Sequence, residues 1–372
     1  MNSSFNESLT EERWQTMKRQ IVLANTAASC YFRTSVEYPF RKVLIQITER
    51  CNLHCAHCFV NAEKSGREIS LSEINNIIPK LKECRVVSIT LTGGEPFCHA
   101  KVIEIASCLV GAGFTVSICT NATCIKEDDA KLMASIGNIH LNVSLDGFAA
   151  KSHGKFRGNM RSFSRAISTI KMLGEYKILH GVLVTPNNLA QIDEYSQICL
   201  FAAECGASYV LMNPLSPMGR GVDSVGNLAM NNETMRSIKS GVLQFADKIQ
   251  LALVRFPNDD KLPLSACEAG NIIYIFANGK VAVCPYLVFA ARTKQSVHDP
   301  EEFIVGNIFS DDDIAAKLDV YNLQSHYQLG LNLICEGCHF NLQCGKGCPA
   351  AVVASGNRIE AVDVAMCPKL GT

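Results

Sequence analysis

Residues 43–58 read VLIQITERCNLHCAHC, an apolar run followed at once by three cysteines. The run at 43–48 is rich in Val and Ile and predicts a buried strand. Cys51, Cys55 and Cys58 follow within eight residues, and no fourth cysteine comes at short spacing. Three thiolates can hold three irons of a [4Fe–4S] cube, which leaves one iron open to a ligand that is not protein. An open metal position indicates chemistry rather than scaffolding, as it does in zinc sites.

The bulk composition narrows the class of protein. The chain has 372 residues, 48% of them hydrophobic, and a formal net charge of zero. This length predicts two or three structural units, and the charge balance gives no sign of the basic stripe of a nucleic-acid-binding protein. No apolar run approaches the ~18–20 residues that cross a bilayer, and the polar N-terminus lacks a secretory signal. We therefore expect a cytoplasmic protein that binds neither nucleic acid nor membrane. Its 18 cysteines then indicate metal or redox chemistry rather than disulfides.

Short apolar strands alternate with helical stretches as far as residue 212. The predicted strands are 43–48, 86–92, 115–119, 139–144, 178–184 and 209–212, and the helices between them are 70–84, 99–112, 126–136, 161–173 and 189–205. Ser70 and Glu73 form a capping-box signature at the start of the first of these helices. Six such steps predict a parallel sheet with helices outside, two units short of a closed eight-unit barrel. The expected fold class is therefore α/β, a partial (β/α)6 barrel.

The pattern changes after residue 213. Prolines and glycines at 214–221 predict a linker, and a helix at 233–246 and a strand at 250–255 follow. Asn278-Gly279 lies between two apolar runs and predicts a hairpin with a type I′ turn. From residue 335 to 367 cysteines are frequent and apolar periodicity is weak, so this part is expected to fold around metal. The predicted domains are an N-terminal extension with a helix at 8–21 (1–41), the barrel (42–222), a bridging segment (223–266) and a cysteine-rich domain (267–372).

The cysteine loop, together with segments after later strands, resembles the radical S-adenosylmethionine (SAM) superfamily. Gly93-Gly94-Glu95-Pro96 follows the second predicted strand, and in that family this segment contacts the amino group of SAM. The resemblance implies that Cys51, Cys55 and Cys58 hold a [4Fe–4S] cluster whose open iron binds SAM. It assigns SAM binding to Gly93, Gly94, Glu95, Pro96, Asn121, Ser144 and Arg157. His57 departs from the family, which usually has an aromatic residue before the third cysteine.

The later cysteines resemble the SPASM extension of that superfamily. They are spaced Cys267-x11-Gly279-x4-Cys284, then Cys335-x2-Cys338-x5-Cys344-x3-Cys348, then Cys367. The resemblance implies two auxiliary [4Fe–4S] clusters, so three clusters in all. Auxiliary cluster I is assigned to Cys267, Cys284 and Cys348, and auxiliary cluster II to Cys335, Cys338, Cys344 and Cys367. Some relatives add a cysteine upstream of the first, but none lies between Cys205 and Cys267. Cluster I is therefore expected to have an open iron or a ligand such as Asp260 or Glu268.

Alternatives remain for several of these residues. Either cysteine array could hold zinc, and Glu95 could act as a general base rather than as a structural residue of the SAM pocket. Arg220 could contact a ligand or belong only to the linker, and no catalytic acid or base is assigned. Most cysteines outside the arrays are expected to be isolated, buried small hydrophobes: Cys30, Cys84, Cys98, Cys108, Cys119, Cys124, Cys199 and Cys205.

The resemblance implies reductive cleavage of SAM to a 5′-deoxyadenosyl radical that takes a hydrogen atom from the substrate. Auxiliary clusters favour a net oxidation of a ribosomally made peptide or protein, by crosslinking or dehydrogenation. The alternative is a small-molecule substrate such as an aminoglycoside, a nucleoside sugar or a tetrapyrrole. The 41 residues before the barrel are fewer than a leader-recognition domain needs, so the barrel itself or a separate protein would bind a precursor peptide. A flavodoxin- or ferredoxin-type protein would supply electrons. A non-enzymatic iron–sulfur electron carrier is the rival from another class.

Overall fold

A single ten-stranded sheet organises the chain. The computed structural model describes residues 25–32 and 36–370, so the helix predicted at 8–21 lies outside the described residues. The strands are β1 (Arg41–Thr48), β2 (Val86–Gly93), β3 (Thr115–Thr120), β4 (Ile139–Ser144), β5 (Leu179–Val184), β6 (Tyr209–Met212), β7 (Gln250–Leu253), β8 (Ile272–Ile275), β9 (Lys280–Ala282) and β10 (Ile304–Asn307).

The strands follow the order β10-β9-β8-β1-β2-β3-β4-β5-β6-β7. Every pair from β1 to β7 is parallel, and β8 pairs in parallel with the other side of β1. The outermost strands, β7 and β10, are not neighbours in this order, so the sheet stays open. An α/β fold with an unclosed, barrel-like parallel sheet and a cysteine-rich C-terminal region is thereby confirmed.

Helices connect the parallel strands. They are α1 (Leu71–Glu83), α2 (Val102–Gly111), α3 (Glu127–Ile136), α4 (Ser162–Glu175), α5 (Ile192–Glu204), α6 (Gly221–Leu228) and α7 (Asn232–Leu243). The predicted capping box of α1 is present, because Ser70 Oγ accepts from Glu73 N at 3.2 Å and Glu73 Oε2 accepts from Ser70 N at 2.8 Å. The apolar faces of α1, α2, α4 and α5 and the residues of the strands form one continuous buried core. This core leaves the polar loops at the carboxyl ends of the strands free to build a site.

The sheet extends beyond the six predicted units at both sides. The segment predicted to bridge the two domains contributes β7, which pairs with β6 from residue 209 to 212. The first strand of the predicted hairpin, β8, pairs with β1 over residues 42–45. The domain limits at 222 and 266 stay a prediction, but the sheet is continuous across both.

The hairpin of β8 and β9 is confirmed, whereas its predicted turn type is wrong. A type I′ turn needs positive φ at both central residues, and only Gly279, with φ of 86°, has one; Asn278 does not. Gly279 N donates to Phe276 O at 2.8 Å and Phe276 N donates to Lys280 O at 2.9 Å. The loop is thus one residue longer, with glycine in the left-handed position, and a side chain there would collide with Asn307 and Phe309.

The described helices after β9 are all short. They are α8 (Pro285–Ala291), α9 (Ile314–Val320), α10 (Leu323–Tyr327), α11 (Leu333–Glu336) and α12 (Pro349–Ala354). α8 and α12 are buried, but Leu333 and Leu342 are 86% and 99% exposed. Among residues 25–32 and 36–370, no helix has both the length and the apolar character to cross a bilayer.

Candidate functional site

The three-cysteine loop begins where β1 ends, at the carboxyl edge of the sheet. Cys51 N donates to Glu63 O at 2.7 Å, which closes the loop at its base. Two thiol sulfurs accept from backbone amides: Cys51 from Leu53 N and Cys58 from Ala62 N, both at 3.4 Å. Such N–H donors stabilise negative charge on sulfur and are a common feature of iron–sulfur sites.

One side of the loop packs against residues 156–158. Ala56 N donates to Phe156 O at 2.9 Å, and the His57 ring stacks on the Phe156 ring with 4.5 Å between centroids and 4° between planes. Gly158 has φ of 71°, and a side chain there would collide with the His54 carbonyl. Burial lowers the pKa of His57 to about 3, so its imidazole is neutral at physiological pH. The His57 imidazole thus stacks on a ring within the protein, that of Phe156.

The other side of the loop is held by residues 219–224. Arg220 N donates to Cys58 O at 3.0 Å, and Arg220 Nε donates to Cys55 O at 2.9 Å. Gly219 has φ of 53°, and any side chain there would overlap the Cys58 carbonyl. Arg220 is more than part of a linker, because it clamps the cysteine loop; a ligand contact through this residue stays a prediction. Its Nη1 also donates to Ala62 O at 3.0 Å.

A buried ion pair approaches the cysteine loop from the sheet. Arg157 Nε donates to Asp146 Oδ2 at 2.6 Å, and Arg157 Nη1 lies 3.9 Å from Cys55 Sγ. Asp146 is held in turn by Thr185 N, which donates to Oδ1 at 2.8 Å. Burial opposes ionisation of Asp146, but the Arg157 guanidinium overcomes it and holds the pKa of the carboxyl below its usual range. A guanidinium beside a thiolate would offset part of the negative charge of a metal cluster.

The Gly-Gly-Glu-Pro segment lies next to the same loop. A side chain at Gly93 would overlap the Thr48 carbonyl, and one at Gly94 would overlap the Arg50 carbonyl. Gly94 N and Glu95 N donate to these two carbonyls at 2.8 Å each. The two glycines therefore let the end of β2 lie directly against the chain that leads into the cysteines.

The Glu95 carboxyl group joins the ends of β2 and β3. It accepts hydrogen bonds from Thr120 Oγ1 at 2.6 Å, Asn121 N at 2.7 Å and Phe97 N at 3.1 Å. Burial raises its pKa to about 7, although the donated hydrogen bonds act in the opposite direction. Three donors within the protein favour the structural role for Glu95 over that of a general base.

The remaining predicted SAM contacts lie at the same edge. Asn121 is buried, and its Nδ2 donates to Asn52 Oδ1 of the cysteine loop at 2.9 Å. Ser144 is the last residue of β4 and is half-buried. Pro96 opens a single turn of 3₁₀ helix and is buried. The structure thus brings Gly93–Pro96, Asn121 and Arg157 together around the three cysteines, with Ser144 on the neighbouring strand end.

The thiols fit a cube better than a single metal ion. Burial raises the pKa of Cys51 to about 11 and that of Cys55 to about 12, so metal binding has to displace both protons. The loop offers three cysteines and no fourth at short spacing, whereas a structural zinc site has four ligands. Zinc needs thiolates at about 2.3 Å from a common centre, whereas the thiolates of a cube bind different irons. The donor set therefore fits a [4Fe–4S] cluster.

The inner auxiliary cysteines share a cavity with a thiol that the sequence predicts to be isolated. The lining of this cavity includes Cys30, Cys267, Glu268, Cys284 and Cys348. The Cys30 thiol lies close enough to those of Cys267 and Cys348 for the three to influence one another's pKa. Cys30 is buried as expected, at 2% exposure, but it is not isolated. Asp260, by contrast, is exposed and pairs with Lys239 Nζ at 3.7 Å.

The outer auxiliary cysteines lie at the surface, apart from Cys367, which is buried. Cys335, Cys338 and Cys344 are half-buried. Cys335 N donates to Asn332 Oδ1 at 2.9 Å, and Cys344 Sγ accepts from Leu264 N at 3.4 Å. Burial raises the pKa of Cys335, and the nearby Cys344 and Cys367 thiols raise it further. Cys335, Cys344 and Cys367 are thus close enough to interact electrostatically.

Sequence reasoning missed three contributors to these sites. Cys30 lies 237 positions before Cys267, and nothing in its neighbourhood marks it; the odd number of cysteines in the second array is the one available signal. Gly219 is predicted only as part of a linker, and Ser224 is given no role. Ser224 Oγ nevertheless donates to Ala56 O at 2.8 Å. Their role depends on a long-range approach that no local pattern encodes.

Comparison with known proteins shows what this chain is similar to. Residues 45–195 match the family model described as the Radical SAM superfamily. The chain is similar to the mycofactocin maturase MftC of Mycolicibacterium smegmatis, with 27% identity over 338 residues, 86% of this chain and 80% of the relative. It is also similar to AlbA of Bacillus subtilis, an antilisterial bacteriocin subtilosin biosynthesis protein, with 26% identity over 79% of this chain and 64% of the relative.

A solved structure has the same fold. Streptococcus suis SuiB bound to its precursor peptide SuiA superposes with a TM-score of 0.69 at 15% identity, over 99% of this chain and 83% of SuiB. The match extends over nearly the whole chain, which includes the cysteine-rich part after the sheet.

Proposed function

Because the chain is a radical SAM iron–sulfur enzyme, we propose that it oxidatively modifies a ribosomally made peptide, by crosslinking or dehydrogenation. The names of two relatives support a peptide substrate: a mycofactocin maturase and a subtilosin biosynthesis protein. The observation that carries the proposal is the clamped three-cysteine loop at the carboxyl edge of the sheet, in a chain similar to these maturases over most of its length. A small-molecule substrate is the less favoured alternative.

Cys51, Cys55 and Cys58 would hold the cluster that binds SAM. When bound, the cluster and SAM would supply one-electron radical chemistry able to remove a hydrogen atom from the substrate. The chain holds the loop in one conformation through Arg220 and Phe156, and it places the Arg157 guanidinium beside Cys55. These contacts preorganise three of the ligands, so that little ordering is needed when iron binds.

The SAM pocket would be formed by Gly93, Gly94, Glu95, Pro96, Asn121, Ser144 and Arg157. The backbone at Gly93 and Gly94 has no side chains to obstruct a ligand, and Glu95 keeps this turn in place through its three accepted hydrogen bonds. Arg157 is neutralised in part by Asp146, so we expect it to bind the SAM carboxylate weakly and to act mainly on the charge of the cluster.

Two auxiliary [4Fe–4S] clusters would bring the total to three. Cys267, Cys284 and Cys348 would hold the inner one, and Cys335, Cys338, Cys344 and Cys367 the outer one. Support comes from the shared cavity of the first set and the electrostatic interaction among three members of the second. Auxiliary clusters suit a net oxidation, because a substrate radical must lose an electron to become a closed-shell product.

The proposed partners follow from this chemistry. A precursor peptide would be the substrate, recognised by the barrel or through a separate leader-recognition protein. A flavodoxin- or ferredoxin-type protein would deliver electrons, and the reducing cytoplasm would keep the cluster thiols unoxidised.

The proposal is tested with the anaerobically reconstituted full chain, SAM, dithionite and a candidate peptide encoded near the gene. We expect 5′-deoxyadenosine and a peptide product lighter by two hydrogens in equal amounts. Cys58→Ala abolishes both products, whereas Cys108→Ala, at a helix position outside the arrays, leaves them unchanged. SAM cleavage without an oxidised peptide, but with an oxidised aminoglycoside, nucleoside sugar or tetrapyrrole, would transfer the proposal to small molecules.

A further inference from the structure

The inner auxiliary array contains four thiols rather than three. Cys30 Sγ lies 3.5 Å from Ala266 O and 3.2 Å from Gly347 O. These two residues directly precede Cys267 and Cys348 in the chain. The Cys30 thiol therefore lies between the backbones that carry two of the expected ligands, and it lines the same cavity as Cys284.

The segment that carries Cys30 is held against the cysteine-rich region by several independent contacts. Ala27 N donates to Pro263 O at 2.8 Å and Ser265 N donates to Ala27 O at 3.0 Å, as in a short parallel bridge. The hydroxyls of Ser29 and Ser265 are 2.9 Å apart and both residues are buried. These contacts fix the backbone that carries the Cys30 thiol beside the cavity.

An arginine and two aromatic rings complete this attachment. Arg255 Nη1 donates to Ser29 O at 2.8 Å, and Arg255 N donates to Ala28 O at 2.7 Å. The same guanidinium lies 5.2 Å from the Tyr31 ring, which stacks on Tyr286 at 4.8 Å. The residues before and after Cys30 are therefore both anchored, which restricts where its sulfur can lie.

The other candidate ligands fit this position less well. Asp260 is exposed and does not line the cavity. Glu268 lines it, but a carboxylate is a harder ligand than the thiolates that iron–sulfur clusters use. Cys30 alone matches the chemistry of the other three and is more buried than either carboxylate.

We propose that Cys30 is the fourth ligand of auxiliary cluster I, together with Cys267, Cys284 and Cys348; this inference rests on the auxiliary cluster in the proposed function. The thiol proton is released when iron binds, and an iron–sulfur bond replaces the contacts of Cys30 with the two carbonyl oxygens. The cluster then has no open iron, so it carries electrons and does not bind a substrate atom. The ligand also ties residues before the barrel to the cysteine-rich region after it.

The test measures the cluster itself rather than turnover. In the full chain with Cys51, Cys55 and Cys58 all changed to Ala, about eight irons remain if two auxiliary cubes are present, four per cube. Cys30→Ala, Cys30→Ser and the control Glu268→Gln are then introduced singly. Iron content is determined, and electron paramagnetic resonance and electron–nuclear double resonance are recorded on the reduced protein with ¹³C-cyanide.

We expect Cys30→Ala either to lose about one iron per chain, with the signal of a [3Fe–4S] cluster, or to show ¹³C coupling from cyanide on the open iron. Both results require that Cys30 occupies a corner of the cube. Cys30→Ser keeps four irons in this cluster with changed g values, because an alkoxide can replace the thiolate, and it covers the case in which the alanine variant does not fold. Glu268→Gln resembles the parent in iron content and g values.

Three outcomes overturn the inference. Cyanide coupling in the parent with Cys30 intact would show that the corner is open. Unchanged iron, g values and cyanide resistance in Cys30→Ala would show that this thiol is not a ligand, and loss of iron in Glu268→Gln alone would assign the corner to the carboxylate. Failure of the auxiliary cluster itself is distinguished by a Cys267, Cys284 and Cys348 triple alanine variant, which would then retain the full iron content.

Discussion

The two cysteine arrays differ in how much protein surrounds them. The loop with Cys51, Cys55 and Cys58 is held by hydrogen bonds from segments near residues 63, 156 and 220. The outer array at 335–344 lies on one short helix and the turns after it, beside Leu333 and Leu342, which are almost fully exposed. If the arrays bind iron as proposed, we expect the barrel to form its site before metal arrives and the outer array to depend on metal for its structure. The free energy of metal binding would then be available for chemistry in the barrel, whereas in the outer array it would contribute to folding.

The two regions should differ most in how fast they are proteolysed after iron is removed. We expect chelation under anaerobic conditions to raise the rate of proteolysis within residues 328–346 by roughly a hundredfold, because metal binding there contributes directly to folding. Residues 41–253, which contain β1 to β7, should resist cleavage as before. The sites are mapped by mass spectrometry of limited digests, with Cys335→Ala as a variant that should behave like the chelated chain. Equal cleavage in both regions would contradict the contrast.

A buried ion pair contributes to the attachment of the cysteine-rich region. Arg255 donates to Asp363 through both Nη1 and Nη2, at 2.6 and 2.9 Å, and Asp363 also accepts from Cys348 N at 3.1 Å. We expect Arg255→Met to lower the free energy of unfolding by about 3–5 kcal/mol, because it leaves a buried carboxylate unpaired. Anaerobic urea unfolding of the iron-loaded protein measures this.

The matched control is Arg236→Met, which removes the exposed pair with Asp259 at 2.8 Å. It should cost about 0–1 kcal/mol. Equal losses in the two variants would mean that Arg255 contributes only as a surface charge does, and the region would then be attached by other contacts.

The barrel can be tested through the pH dependence of its free energy of unfolding. The Glu95 pKa is about 7 in the folded chain, against an ordinary value of 4.5. Between these values the unfolded chain releases a proton that the folded chain keeps, so the free energy of unfolding falls as the pH rises, by about 3 kcal/mol in total. We expect Glu95→Gln to lose this dependence, so that wild type loses stability relative to the variant between pH 4.5 and 7.5. Urea unfolding across that range measures it, and parallel profiles would contradict it.

The smallest effect concerns the ring that stacks within the cysteine loop. His57 Nδ1 is buried and has no hydrogen-bond partner, which costs stability in a folded protein. We expect His57→Phe to keep the stack on Phe156 and to raise the free energy of unfolding by about 1 kcal/mol. Thermal unfolding compared with His57→Ala, which loses the stack, measures this. A loss of iron in His57→Phe but not in wild type would show that the imidazole is needed by the cluster.

Much of the barrel was predictable because its signals are local. The capping box at Ser70 and the alternation of apolar strands with helices follow from residues within one turn or one strand of each other. β7 was predicted as a strand at 250–255, but its place beside β6 was not, because pairing partners are chosen by the whole sheet. The prediction of the turn type at Asn278 is wrong because the Asn-Gly dipeptide also fits a hairpin loop that is one residue longer.

The site shows the same division between near and distant residues. The cysteines of both arrays were identified by spacing, and the grouping of Gly93–Pro96 and Asn121 at one edge follows from parallel strands ending together. The clamp by Gly219 and Arg220 could not be predicted, because it depends on how closely a later loop passes over the Cys58 carbonyl.

The amino-acid sequence by itself determined where the two cysteine arrays lie and which segments form strands, since both depend on residue type and short spacing. Only the tertiary structure decided that β8 joins β1 and that Cys30 meets Cys267, Cys284 and Cys348. The physical reason is that contacts between segments more than 200 residues apart are selected by packing of the complete core, and no short stretch of sequence contains that information.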